Sequence, residues 1–261
     1  DRDAVGEVLP GPMARLIAGV TPVQGDRAAL AAALRDHARN PNVLELGRRL
    51  EFREDRVGDF TSPSTATAQE TVRRTGAPIF SISGWYDGGY PHAAIRRFLT
   101  TPTPGSRLLI GPWTHGGRQV SRRCRTEDSP RFRPVEPVAR FFIEHLQDGP
   151  PMRDAPVQYY TLCAERWRAE ATWPPAANRW SLYLADRGAL AEAAAAADGQ
   201  DQYRVDPTAS TGSGSRWASY VNLTGRPIGY GDRGTEDRKL LTYDSAPLPR
   251  DTEVTGHPVV V

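Results

Sequence analysis

Two short loops carry side chains able to move a proton. GWYDGG (84–89) offers Asp87 among glycines that let the backbone turn sharply, and GPWTHGG (111–117) offers His115. An aspartate that accepts an imidazole N–H fixes the tautomer of the ring and stabilises the imidazolium formed when the base takes a proton. Each residue also has an ordinary reading. An Asp in a Gly-rich loop is commonly a turn former, and a single His after Trp-Thr is commonly structural. Trp85, Tyr86 and Trp113 flank the pair. The rings of Trp85, Tyr86 and Trp113 could each line a substrate pocket, with core packing as the alternative for each.

The elements around these loops favour the chemical reading. APIFSISG (77–84) is a short apolar run closed by glycine, as expected of a buried strand. YPHAAIRRFL (90–99) follows as a helix with Pro91 in its first turn. SRLLIGPW (106–113) reads as a second buried strand, and VEPVARFFIEHLQDG (135–149) as an amphipathic helix. The apolar stripe of that helix is expected at Val135, Val138, Phe142 and Leu146, with Gly149 as its stop. Strand and helix alternating at this spacing predict parallel strands in an α/β sheet. Functional groups in such sheets sit beyond the carboxyl ends of the strands. Asp87 and His115, 28 residues apart on successive strand ends, would meet there.

The rest of the chain divides around this core. Residues 1–70 read as helical pieces, one capped by Asp26 with Leu30 and Leu34 on one face, another carrying Val43, Leu46 and Leu50. With no strand nearby, they suit a layer covering another body. The Pro-rich segment 150–155 reads as a linker. From residue 156 to 261, VQYYTL, RWSLYLA, WASYVNL and KLLTYDS predict an all-β half, a sandwich or jelly roll. The Ala-rich run 189–197 reads as a loop or short helical turn.

Composition narrows the partners. A formal charge of +2 in 261 residues gives no reason to expect a nucleic-acid or membrane partner. The six arginines of 118–133 come with acidic residues and without a Gly-rich helix start, so a solvated loop is the better reading. His92 reads as an ordinary helix residue, and His37, His145 and His257 have no carboxylate or Cys partners at ligand spacing, so no metal site is expected. The two cysteines, Cys124 and Cys163, suggest no disulfide framework, which favours a cytoplasmic location. The first residue is not Met and the last three are Val, so both ends look cut and secretion stays open. A homo-oligomer also stays open.

The loop motifs then carry a resemblance. IFSISGWYDGG and RLLIGPWTHGG, at their spacing, resemble the acid and histidine loops of the cocaine esterase/X-prolyl dipeptidyl-peptidase family, the CocE/NonD hydrolases. ARFFIEHLQDG, PVQYYTLCAERWRAEATWPP, RWSLYLADRGAL and LTYDSAPLPRDTEVTGHPVV follow in the family's order, so the resemblance covers residues 75–261. Ile143-Glu144 departs from it, where an aspartate is common. The resemblance implies part of an α/β hydrolase with part of a helical cap (1–70), the C-terminal part of the hydrolase domain (71–149) and an incomplete jelly roll (156–261). It also implies Ser-His-Asp acyl transfer on a small-molecule ester or amide, with Asp87 as acid and His115 as base and with no cofactor. In α/β-hydrolases the order is nucleophile, acid, histidine. No G-x-S-x-G or G-x-S-x-x-G elbow occurs here, since GSGS (212–215) lies in a polar turn, so the serine is expected upstream. A non-catalytic jelly-roll binding module, or a degenerate hydrolase fragment, is the alternative.

Overall fold

A computed structural model describes residues 27–52, 54–61, 68–115, 135–211, 215–217 and 231–261, which fall into two compact units divided after Thr67. In the first unit, α1 (Arg27–His37) precedes α2 (Val43–Gly47). Asn42 caps α2, its side-chain oxygen accepting from the Leu44 and Glu45 amides at 3.1 and 3.2 Å. This helix stops before Leu50 and is shorter than its apolar spacing predicts. Strands are present here too, against expectation: β1 (Arg56–Val57) and β2 (Phe60–Thr61) form a small hairpin. Asp26, the expected cap of α1, lies outside the described residues.

The second unit is built on a mixed sheet. After α3 (Gln69–Thr75) come β3 (Phe80–Gly84), α4 (Tyr90–Thr100), β4 (Arg107–Gly111) and α5 (Val135–Leu146). β5 (Val157–Thr161) and β6 (Arg166–Glu170) complete a sheet of order β3-β4-β5-β6, parallel through β5 and antiparallel at β6. The apolar run of β4 has its cause in this order. It lies between two parallel neighbours and all five of its residues are buried.

Register places Ser81 beside Leu108 and Ser83 beside Ile110. Leu108 and Ile110 join Ala94, Ile95, Val157, Tyr159 and Trp173 in the main core, so α4 covers this face. Phe80 meets Phe141 of α5 at 5.3 Å. The stripe of α5 is therefore rotated from the expected one: Phe141 is buried, whereas Val135, Phe142 and Leu146 are 75%, 52% and 74% exposed. Phe141 has the sheet and the His145 ring (4.6 Å) to pack on, and periodicity alone could not choose between adjacent faces.

The segment 150–155 is a bound strap rather than a loose linker. The Met152 amide donates to Glu144 Oε2 (2.9 Å), Asp154 pairs with Arg140 (3.0 Å), and Arg107 donates to the carbonyls of Asp154 and Ala155. Burial lowers the Arg107 pKa, while Asp154 and Glu144 oppose that fall. The strap delivers β5 to β4. Val157–Thr161 thus pairs in parallel with β4. The parallel partner, not the local pattern, decides to which body this strand belongs.

Beyond it, β7 (Tyr183–Ala185), β8 (Ala189–Ala191) and β9 (Asp244–Ser245) make a three-stranded sheet, with α6 (Gly234–Asp237) before β9. The start of the Ala-rich run is therefore a strand, because β7 and β9 supply ladder partners on both sides. The described residues give three strands of this half, and most of WASYVNL lies outside them. The C-terminal segment is pinned back to the main sheet by Glu253. Its carboxylate accepts from Tyr159, Thr161 and Thr255 and pairs with Arg168. Burial raises the Glu253 pKa, but the hydrogen bonds from Arg168, Thr161 and Thr255 outweigh that and hold it below the ordinary value.

Cys163 is disulfide-bonded, where the sequence suggested no disulfide framework. The argument for a cytoplasmic location drawn from the cysteines falls with that expectation. No described helix is long and apolar enough to cross a membrane.

Candidate active site

The acid loop leaves β3 at Gly84 and turns tightly. Asp87 N–H donates to the Gly84 carbonyl (3.0 Å), and Tyr90 N–H donates to the Asp87 carbonyl (3.0 Å), leading directly into α4. The histidine loop runs beside it. Trp85 N–H donates to Gly111 O (2.9 Å) and Tyr86 N–H to Trp113 O (3.2 Å), so the parallel ladder continues past both strand ends. These backbone bonds set the distance between the two side chains.

Gly84 and Gly111 permit this closeness. A Cβ on Gly84 would stand 1.9 Å from Trp113 O, and one on Gly111 would stand 2.0 Å from Trp113 Cζ3. Both glycines therefore serve Trp113, whose backbone and ring fill the space a side chain would take. Gly88 adopts φ 52°, a conformation suited to glycine, and its N–H donates to Arg216 O (3.0 Å). The Trp217 ring lies over this point, 3.3 Å from where a Gly88 Cβ would be. That contact, made by the C-terminal half, has no signal in local sequence.

The result brings Asp87 and His115 together, with His115 Nδ1 3.0 Å from Asp87 Oδ1. Asp87 is buried, its side chain 11% exposed, whereas the His115 side chain is 41% exposed. A neutral imidazole that donates from Nδ1 to the carboxylate keeps Nε2 as its acceptor, the nitrogen that a general base uses. The Tyr90 ring packs at 5.5 Å from the imidazole and restrains it from the helix side. Both residues line a cleft of about 400 Å³, together with Ile82, Ser83, Ala93, Ala94, Arg97, Trp113 and Thr114. Among the described residues no cluster suited to a metal is found.

The aromatic predictions divide differently. Trp85 and Tyr86 are not part of the cleft wall, and Tyr90 and Trp113 are. Trp85 turns toward the core: its indole N–H donates to Tyr160 O (2.7 Å) and its ring meets Trp173 at 6.2 Å. The tight turn closed by Asp87 N–H on Gly84 O ends the strand alternation and so separates Trp85 from Asp87. Trp85→Phe in the whole protein is accordingly expected to lower Tm by leaving the Tyr160 carbonyl without its donor, a loss of about 1–3 kcal/mol. KM should stay unchanged. A shifted KM with unaltered melting would return Trp85 to the substrate wall.

Residues 16–117 match the model of the X-Pro dipeptidyl-peptidase (S15 family), and residues 150–261 match that of the X-Pro dipeptidyl-peptidase C-terminal non-catalytic domain. The chain belongs to the X-Pro dipeptidyl-peptidase family. This membership carries the α/β-hydrolase class for the mixed sheet. Two relatives, from Mycobacterium bovis and Mycobacterium tuberculosis, are named as candidate serine esterases. Each is 40% identical over 288 aligned positions covering 100% of this chain. The chain spans 46% of the length of those relatives. A crystal structure of an aminopeptidase from a marine sediment Thaumarchaeota archaeon is similar at 20% identity, with a TM-score of 0.40, over 61% of this chain and 31% of that one.

Proposed function

We propose that this chain supplies the acid and base of a serine hydrolase acting on ester or amide bonds, acyl or X-Pro dipeptidyl. The observation that carries the reading is the Asp87–His115 contact of 3.0 Å at the edge of the cleft. His115 acts as general base toward a serine and then as general acid toward the leaving group, while Asp87 orients and charge-balances it. The serine comes from a part of the protein preceding residue 1. In support, Ser83, although it lines the cleft, sits within β3 with its hydroxyl buried, not at a strand-to-helix turn. The C-terminal half forms a jelly roll that does no chemistry, a reading supported by the match to a non-catalytic domain and by the β7-β8-β9 sheet. The substrate is a small molecule, and neither nucleic acid nor membrane is needed.

Labelling of the whole protein by a fluorophosphonate probe, abolished in His115→Ala, is the expected result. Labelling at full rate in that variant would overturn the triad. The isolated 261-residue chain is expected to show no turnover of a p-nitrophenyl ester. Turnover by that chain would place the nucleophile within it, with Ser83 the first position to test.

A further inference from the structure

The cleft around Asp87 and His115 contains one charge that this chemistry does not use. Arg97 lies on the face of α4 that also carries Tyr90, Ala93 and Ala94, and all four line the cleft. Arg97 is half-buried, and among the described residues its guanidinium has neither an ion pair nor a hydrogen bond. Asp87 is the only carboxylate among the described residues of the lining, and it is engaged by His115. The described lining is therefore formally neutral, and Arg97 is the charge in it that has no partner. Ser83 and Thr114, in the same wall, are buried with hydroxyls that lack partners, so this side of the cleft is polar.

A half-buried guanidinium with no acidic partner keeps its N–H donors for a ligand that enters the cleft. The planar fork of arginine suits a carboxylate, which it can hold through two parallel hydrogen bonds. The position gives the length of the ligand. Tyr90 packs on His115, and Arg97 lies seven residues further along the helix. Two helical turns rise about 10 Å.

Resting on the hydrolase reading above, we propose that Arg97 selects substrates bearing a carboxylate about two helical turns from the scissile bond, on the acyl or the leaving group. The hydrolysis itself is unaltered: water adds across the ester or amide, and the distal carboxylate is only held.

The test compares kcat/KM of the whole protein for two pairs of esters. One pair is the 4-nitrophenyl monoester of suberic acid and the same ester with its distal carboxylate replaced by carboxamide. The other is the acetate ester of a long hydroxy acid and its carboxamide counterpart. In at least one pair the anion should be preferred by about tenfold or more, the scale of a charge-assisted hydrogen bond. Arg97→Gln should bring that ratio close to one, and Arg97→Lys should keep part of it. Arg96→Gln, exposed on the same helix and outside the lining, should leave the ratio in place. Turnover without preference in either pair, or a preference that survives in folded Arg97→Gln, would overturn the assignment. Absence of turnover for all four esters would overturn the hydrolase reading, and this proposal with it.

Discussion

Ester hydrolysis by the whole protein should fall at least about ten-thousand-fold in kcat when His115 is replaced by alanine. The imidazole holds the proton in both halves of acyl transfer, so nothing else in the cleft replaces it. Tyr90 packs on the ring and Thr114 is buried beside it, but neither is a base at neutral pH. Asp87→Asn should cost about 10³–10⁴-fold through a different route. An amide preserves the shape of the loop but offers its NH₂ toward Nδ1, which favours the tautomer with Nε2 protonated. That ring cannot take a proton from the serine. The measurement is p-nitrophenyl ester turnover, with melting curves to show that each variant is folded. A folded His115→Ala enzyme within tenfold of the parent would remove His115 from the mechanism.

The largest effect from a residue that touches no substrate is expected at Gly84. In Gly84→Ala the new methyl would meet the Trp113 carbonyl oxygen at 1.9 Å and the Trp113 ring at 2.5 Å. A flexible side chain could swing away, but a backbone oxygen cannot move without the strand end. That oxygen also accepts from Tyr86 N–H, so displacing it breaks the bridge between the two loops. Overpacking of this kind costs typically about 1–3 kcal/mol, and here it should lie at the upper end or beyond. His115 is two residues past Trp113, so activity should drop together with Tm. Gly89→Ala is the matched control, since its methyl would find only the Trp217 ring at 3.7 Å, an ordinary contact. Equal melting and equal activity in both variants would sink this account of Gly84.

The acid and base loops were legible because their signals are local. A short apolar run closed by glycine, followed by a helix starting at proline, needs no distant partner to be recognised. A second apolar run ended by Gly-Pro and a second helix imply parallel strands, and parallel strands place Asp87 and His115 at one edge. The same local pattern could not say to which sheet Val157–Thr161 belongs, because a strand reads alike whichever neighbour pairs with it. Nor could periodicity separate Phe141 from Phe142 on α5, since one step around a helix changes the face while leaving the composition of the window intact.

Asp87 and His115 remain the centre of the molecule, for reasons that lie at two levels. Residue type, order and spacing along the chain made them a candidate pair, because the covalent connection limits where a 28-residue unit can return. Only the folded state closes them to 3.0 Å, turns Trp85 away to Tyr160, brings Trp217 over Gly88 and leaves Arg97 facing the cleft. Those outcomes depend on contacts between segments far apart in sequence. Packing forms such contacts when loops and strands compete for the same space, and no window of sequence records that competition.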